Sequence, residues 1–176
     1  MKIIAIAAVT AGGKTTVVNE IMKKLPNTAV LHFDDYSFYG EVEDFYRWTL
    51  DGADYNVWDL SPLEKDINTI KNDKSYEYLL LDYPFAYCND TIKDYIDYAV
   101  FIDTPLDIAM ARRVLRDFKN ATAEEIHNDM KIYLKYARIS YIQMLKDIRP
   151  SSDYVVDGTK DLGDIVDEIL KVITGS

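Results

Sequence analysis

Nine residues near the start of the chain explain how the rest of it is organised: Ala8-Val9-Thr10-Ala11-Gly12-Gly13-Lys14-Thr15-Thr16. A continuous apolar run over residues 2–9 leads into them and predicts a strand that is buried on both faces. A helical pattern over residues 15–25 follows. A strand, a glycine-containing loop and a helix that begins at Lys-Thr form the setting of a phosphate-binding loop. The stretch therefore predicts a nucleotide site at the carboxyl end of the first strand.

The parts of this loop have separate expected roles. Backbone N–H groups of the loop and of the helix N-terminus can surround a phosphate, Lys14 can reach the β- and γ-phosphates of ATP, and the Thr15 hydroxyl can bind Mg²⁺. The motif GxxxxGK[ST] has glycine where this chain has Ala8, and a left-handed backbone at an alanine would be strained. We expect ATP to contact seven loop residues: Thr10, Ala11, Gly12, Gly13, Lys14, Thr15 and Thr16.

Similar β-rich runs recur at residues 28–33, 76–82, 98–103 and 153–157, with helical segments between most of them. This alternation is typical of an α/β fold with a parallel sheet. Local signals predict helix starts at Ser61-Pro62-Leu63-Glu64, at Thr104-Pro105, and at Thr122 with Glu125. The helix that begins at Thr122 is expected to run to about Asp147, and residues 161–173 form an amphipathic C-terminal helix.

Length and charge exclude several classes of partner. A chain of 176 residues fits one domain, and its formal net charge of −10 repels nucleic acid and anionic membranes. The single cysteine, Cys88, cannot form an internal disulfide, and no stretch contains the roughly 18 apolar residues of a membrane helix. We expect one cytoplasmic domain over residues 1–176 that acts on a small molecule, with a homodimer left open.

Carboxylates follow two of the predicted strands. Asp34 and Asp35 come after the second run, and Asp82 ends the third. Open α/β sheets bind ligands at the carboxyl ends of their strands, so one of the adjacent pair can take a proton from an acceptor hydroxyl; the alternative is an exposed turn or a helix cap. Asp82 is expected to hold Mg²⁺ as a Walker B carboxylate. His32 and His127 show no metal-binding spacing, and we predict no role for them.

Arginine is concentrated in one part of this acidic chain. Five of the six arginines lie between residues 112 and 149. Arg112 and Arg116 are four residues apart and share a helix face, from which their planar forks could clamp phosphates during transfer. The alternative is a solvated face on which Asp107 and Asp117 pair with these arginines.

An aromatic insertion is predicted at about residues 36–60, where no clean period is found and eight aromatic side chains occur. These rings could line a substrate pocket, or they could form a small core that covers one edge of the sheet. The insertion holds Arg47 as its only basic residue against six acidic ones, which favours a neutral or cationic acceptor.

These motifs together resemble the uridine kinase and phosphoribulokinase-like family of P-loop kinases. After the phosphate loop, Asp34-Asp35-Tyr36-Ser37 is similar to the second-strand motif D-[SD]-F-[YF] of that family. The pair of segments 103–107 and 112–117 is similar to the stretch that leads into its lid, where arginines contact phosphates. The Arg-Gly-Arg lid tip of the family is replaced here by residues 118–121.

The resemblance implies a P-loop NTPase fold, namely a three-layer α/β/α sandwich with a mostly parallel five-stranded sheet and a short helical lid over about residues 112–140. It implies that Asp34 is the catalytic base, assisted by Lys14, Arg112 and Arg116, and that Thr15 and Asp82 bind the metal. Acceptor contacts are expected from four residues: Asp35, Tyr36, Asp54 and Trp58.

The activity implied is transfer of the γ-phosphoryl group of MgATP to a hydroxyl group of a small acceptor, with a nucleoside such as uridine as the first choice. Two alternatives stay open. One is an ATP-binding regulator or slow ATPase, which Ala8 and the shortened lid favour. The other is a kinase for a non-nucleoside alcohol such as an antibiotic.

Overall fold

A five-stranded sheet forms the centre of the molecule in the computed structural model, which describes residues 1–175. The strands are β1 Lys2–Ala8, β2 Thr28–His32, β3 Tyr78–Asp82, β4 Tyr98–Asp103 and β5 Tyr154–Asp157. Their order across the sheet is β2-β3-β1-β4-β5, and every neighbouring pair is parallel. The predicted α/β sandwich is confirmed, with a sheet that is parallel throughout the described residues.

Seven helices accompany the sheet within the described part of the chain: α1 Lys14–Lys24, α2 Phe45–Leu50, α3 Ser61–Asn72, α4 Leu106–Asp117, α5 Ala123–Ile132, α6 Arg138–Ser151 and α7 Leu162–Thr174. Alternate residues of β1 point to opposite faces of the sheet. Ile4, Ile6 and Ala8 pack with apolar residues of α1 and α7, whereas Ile3, Ala5 and Ala7 pack with α3, α4 and α6. Helices on both faces produce the three layers.

Two of the predicted helix starts differ in detail from the structure. Leu60 is the N-cap of α3, and the backbone N–H of Ser61 donates to Asp59 Oδ1 at 3.0 Å. Thr104 lies before Pro105, the N-cap of α4, and turns its hydroxyl away from that helix. The Ser61 hydroxyl also donates to Asp59, and the Thr104 hydroxyl donates to the carbonyl oxygen of Gly12. Each of these contacts takes the place of the expected local cap.

The long helix expected from Thr122 to about Asp147 is interrupted. Thr122 and Glu125 form the predicted capping box, and α5 ends at Ile132. A π-helical turn, Tyr133–Ala137, then leads directly into α6, which continues to Ser151. Such turns insert a residue into the helical ladder and change the direction in which the following side chains point.

The aromatic insertion is an ordered part of the core. Tyr55 and Trp58 are buried against Phe85, and Trp48 is buried against Tyr55 and Trp58, with ring centroids 4.8–5.5 Å apart. The buried side-chain amide of Asn89 donates to the backbone carbonyls of Tyr55 at 2.8 Å and Trp58 at 3.3 Å. These bonds fasten the insertion to the segment after β3.

The five parallel strands all end at the same edge of the sheet, as their common direction requires. The phosphate loop follows β1, Asp34 follows β2, and Gly158 follows β5. The register pairs His32 with Asp82 and Asp103 with Asp157 at this edge. Among residues 1–175, no helix has the length and apolar character needed to cross a bilayer.

Candidate active site

The phosphate loop has a conformation that depends on its two glycines. Gly13 is the N-cap of α1, with φ at +102°, a value that favours glycine. A Cβ atom on Gly12 would lie 2.8 Å from both Ala8 Cβ and the Val9 carbonyl oxygen. Ala8 itself is the last residue of β1, so it has an extended backbone, and the left-handed residue is Ala11 at φ 58°. The strain anticipated at Ala8 is therefore absent.

Thr104 supports this loop from the neighbouring strand. Its side chain is fully buried, and its hydroxyl donates a 2.8 Å hydrogen bond to the carbonyl oxygen of Gly12. A Cβ on Gly158 would lie 2.1 Å from the same hydroxyl oxygen. The turns after β1, β4 and β5 are thus packed against one another at the sheet edge.

Asp82 is the centre of a polar cluster at the start of α1. The residue is only 2% exposed, and Lys14 Nζ forms an ion pair with its Oδ1. His32 Nδ1 lies 2.9 Å from Asp82 Oδ2. Burial raises the pKa of this carboxyl, but the Lys14 charge and hydrogen bonds from Lys14, Thr15 and His32 outweigh burial and bring the pKa below its usual value. Asp82 is therefore an ionised carboxylate at neutral pH.

The oxygen atoms at this cluster are suitable ligands for a magnesium ion. Mg²⁺ prefers oxygen ligands, keeps several of its waters, and is usually held by one or two protein groups together with substrate phosphates. Thr15 and Asp82 supply a hydroxyl and a carboxylate, and the Thr15 hydroxyl is close enough to Asp82 to help lower the pKa of its carboxyl. Within residues 1–175 there is no group of three or more His, Cys, Asp and Glu side chains that could form an all-protein metal cage.

A cavity of about 650 Å³ opens over the phosphate loop. Because β1 is the central strand, residues that follow β5 line one side of it, and residues that follow β2 and β3 line the other. The β5 side consists of Gly158, Lys160, Leu162 and Ile165. The opposite side combines aromatic and carboxylate groups, namely Phe33, Asp34, Glu41, Phe45, Trp58 and Phe85, together with Met144 of α6, which packs against the same core. We call this second side the acceptor side.

Two of the predicted arginines lie at this cavity. Arg112 and Arg116 both line it, and Arg112 Nη2 lies 3.4 Å from the carbonyl oxygen of Gly158. Arg116 Nε donates to Asp117 Oδ1 at 2.6 Å, and this bond raises the pKa of Arg116, to which the charge of Asp34 also contributes. The two interpretations of this helix face are thus combined in Arg116, which pairs with a local acid and faces the cavity.

Other arginines of the same segment have structural partners. Arg113 Nη2 donates to Asp129 and connects α4 with α5. Arg149 Nη1 lies 3.0 Å from Asp103 Oδ2. Clustering in the sequence therefore did not separate arginines that line the cavity from those that hold helices together.

The residues predicted to contact the acceptor are divided by the structure. Trp58 lines the cavity, whereas Asp35, Tyr36 and Asp54 do not. The Tyr36 hydroxyl donates to Asp66 Oδ2 at 2.8 Å, and the Asp54 side chain caps the 3₁₀ turn Tyr55–Val57. The roles of all four residues stay predictions, and only Trp58 has the position that its role requires.

Several cavity residues had no sequence signal of their own. They are Phe33, Phe85, Met144 and Lys160, and His32 joins them through its contact with Asp82. The usable signals were positional, since Phe33 and Phe85 closely follow the ends of strands. The aromatic insertion matches both earlier interpretations, because Trp48 and Tyr55 belong to the core and Phe45 and Trp58 face the cavity.

Comparisons with known proteins agree with this architecture. No protein-family model matches the chain. A uridine kinase of Borrelia hermsii (strain HS1 / DAH) is 26% identical over 89% of this chain and 86% of its own length. A uridine kinase of Staphylococcus aureus (strain JH9) is 28% identical over 93% of this chain and 86% of its own length. The resemblance to uridine kinases is therefore confirmed over most of the chain.

Solved structures give the same fold. Deoxyadenosine kinase from M. mycoides, with products dCMP and a flexible dCDP bound, has a TM-score of 0.57 at 16% identity and covers 99% of this chain and 100% of its own. Shikimate kinase from Acinetobacter baumannii in complex with shikimate has a TM-score of 0.58 at 16% identity, over 99% of this chain and 94% of its own. At such identities the likeness establishes the fold alone.

Proposed function

We propose that this protein is a phosphotransferase that moves the γ-phosphoryl group of ATP to a hydroxyl group of a small acceptor, and that the acceptor is a nucleoside such as uridine. One observation carries the proposal: Lys14 and Thr15 of the phosphate loop and Asp34 line the same cavity, with Arg112 and Arg116 on its wall. The relatives named uridine kinase support a phosphotransferase that acts on a hydroxyl group.

The donor half of the reaction depends on the phosphate loop. Backbone N–H groups of residues 10–16 bind the phosphates, and Lys14 leaves Asp82 to balance their charge. Arg112 and Arg116 add positive charge on the cavity wall, where charge develops during transfer. Thr15 and Asp82 would hold Mg²⁺, which when bound neutralises phosphate charge and orients the phosphoryl group.

The acceptor half depends on Asp34. This carboxylate lies at the carboxyl end of β2 and lines the cavity, so it can accept the proton of an acceptor hydroxyl as the oxygen attacks. Phe33, Phe45, Trp58 and Phe85 line the same cavity, and this aromatic lining suits a planar base. These aromatic rings and the named relatives motivate the choice of a nucleoside. A cytoplasmic location, where ATP is available, is part of the same proposal.

The first test measures ADP formation by the pure protein with MgATP, alone and with a panel of acceptors. The panel contains uridine, cytidine and other ribosides, and, as non-nucleoside alcohols, shikimate, gluconate and an aminoglycoside. We expect a riboside to raise turnover well above the rate without acceptor. Slow hydrolysis that no acceptor changes would contradict transfer and would support the regulator or slow ATPase.

A matched pair of variants then tests the base. With an accepted substrate, Asp34→Asn is expected to lose at least about a hundredfold in kcat while its affinity for ATP stays the same, since a positioned base contributes on that scale. Asp35→Asn is the control, because Asp35 is adjacent but does not line the cavity. A larger loss in Asp35→Asn would transfer the role to that residue.

A further inference from the structure

Asp82 carries more hydrogen-bond donors than the phosphotransfer reaction alone explains. Its carboxylate is almost completely buried and is contacted by Lys14, Thr15 and His32. A buried charge is costly unless it is paired and hydrogen-bonded, so each contact helps to keep the ionised form. Lys14 and Thr15 belong to the phosphate loop. His32 belongs to β2, and the proposed reaction gives it no contact with the phosphates.

The hydrogen bond from His32 has a defined direction. Asp82 is ionised, so its oxygens only accept hydrogen bonds, and the Nδ1 atom of His32 must carry the proton at 2.9 Å from Oδ2. The strand register places the two residues opposite each other, since His32 and Asp82 are Cα partners in the β2–β3 pair. The contact is therefore fixed by the backbone of the sheet.

His32 becomes the more important partner when ATP is bound. Lys14 pairs with Asp82 in this structure, but it cannot stay there while it neutralises phosphate charge. Oδ1 then loses its ion pair and becomes available to a metal ion, while His32 still holds Oδ2. Without the hydrogen bond from His32, the carboxylate of Asp82 could rotate about its Cβ–Cγ bond. The oxygen that binds the metal would then lose its fixed orientation.

We propose that His32 is a positioning residue for the metal-binding carboxylate: its Nδ1–H holds Oδ2 of Asp82, so that Oδ1 stays turned towards Lys14 and the phosphate loop. The inference rests on the proposed use of MgATP. Partners that orient metal ligands typically change metal affinity by about 10–100-fold when they are removed. His32 thus acts through Asp82 and does not touch substrate.

The test measures metal binding directly. Calorimetry gives the affinity for a non-hydrolysable ATP analogue in EDTA, and then the half-saturating Mg²⁺ concentration of the protein loaded with that analogue. His32→Phe keeps a ring but has no donor. We expect its affinity in EDTA to stay within about threefold of the wild type and its half-saturating Mg²⁺ concentration to rise about tenfold or more.

Three further variants make the result specific. His32→Asn puts an amide nitrogen the same number of bonds from Cα as Nδ1, so it should restore Mg²⁺ binding to within about threefold of the wild type. His32→Gln has its amide one bond farther away, should fail to restore it, and supplies a polar replacement if the Phe variant does not fold. His127→Phe changes the other histidine, which is exposed on α5, and should behave like the wild type.

Two outcomes would overturn the inference. One is an unchanged half-saturating Mg²⁺ concentration in folded His32→Phe or His32→Gln protein. The other is an equal loss of analogue affinity with and without Mg²⁺, which would indicate a general structural role. Failure of the wild type to bind the analogue at all would remove the proposed function as well. This result is distinct from the two outcomes above, because it is seen in the wild type and not only in the His32 variants.

Discussion

At the scale of single residues, the site depends on close backbone approach as much as on charge. Gly12 has no room for a side chain, because its missing Cβ would meet Ala8 Cβ and the Val9 carbonyl oxygen. The carbonyl oxygen of Gly12 accepts a hydrogen bond from the Thr104 hydroxyl. Rotation of this peptide group to relieve a clash would break that bond. The alanine at position 8 is accommodated because the neighbouring position in space is a glycine.

Gly12→Ala tests this packing. The new methyl group must displace β1 or the loop, so we expect a loss of about 1–3 kcal/mol in unfolding free energy and at least about a tenfold loss in ATP affinity. Gly163→Ala is the matched control, because nothing lies within 4 Å of its Cβ position in α7. That variant should be neutral or slightly more stable. Urea unfolding measures the stability of each variant, and calorimetry measures its affinity for ATP. Equal stability of the two variants would contradict the argument.

At the scale of elements, α4 divides its arginines between two tasks. Arg112 and Arg116 point into the cavity, while Arg113 connects α4 to α5 through Asp129. Arg113 and Asp129 are both mostly buried, with 17% and 24% of their side chains exposed, so their ion pair is protected from solvent more than the exposed pair of Arg116 with Asp117. Helix α4 thus carries arginines that serve the cavity and, next to them in the sequence, one that stabilises the packing of two helices.

Arg113→Gln and Arg116→Gln should therefore differ in kind. Loss of the Arg113 contact is expected to lower the unfolding free energy by about 1–2 kcal/mol, because a partly buried Asp129 loses its charged partner, with kcat changed less than threefold. Loss of Arg116 should lower kcat at least about tenfold and leave stability nearly unchanged. Urea unfolding and steady-state kinetics with MgATP check the pair; the reverse assignment would refute the division.

At the scale of the whole molecule, charge restricts what the cavity accepts. The chain has a formal net charge of −10, and Asp34 and Glu41 add negative charge on the acceptor side. The basic side chains at the cavity are Lys14, Arg112, Arg116 and Lys160, and the first three are assigned to the phosphates of ATP. An acceptor that already carries a phosphate would meet unfavourable charge there.

We therefore expect a nucleoside monophosphate to be used at least about tenfold less efficiently, by kcat/KM, than the corresponding nucleoside. Glu41→Gln should narrow this difference, because it removes one negative charge from the acceptor side. Glu43→Gln is the control, since Glu43 is exposed and does not line the cavity. A monophosphate that outperforms its nucleoside in the wild type would show that the charge argument fails.

The sequence alone determined the features that depend on local spacing. The phosphate loop, the buried strands and the acids Asp34 and Asp82 at strand ends follow from short patterns, because a strand, a turn and a helix start are each specified within a few residues. The parallel direction of the strands then required these ends to meet at one edge. The fold and the position of these residues at one edge of the sheet were predictable on this basis, and their roles stay predictions.

Only the tertiary structure decided which distant side chains share the cavity. Phe33, Glu41 and Phe85 meet there because the strand order β2-β3-β1-β4-β5 brings separate loops to one side of β1. The contact of His32 with Asp82 depends on the register of two strands 50 residues apart, and no local pattern encodes a register. Thr104 looked like part of a helix start, but folding placed the Gly12 carbonyl oxygen within its reach. Local spacing determines whether a segment forms a strand, a turn or a helix. The contacts of its side chains depend on which other parts of the chain pack against it.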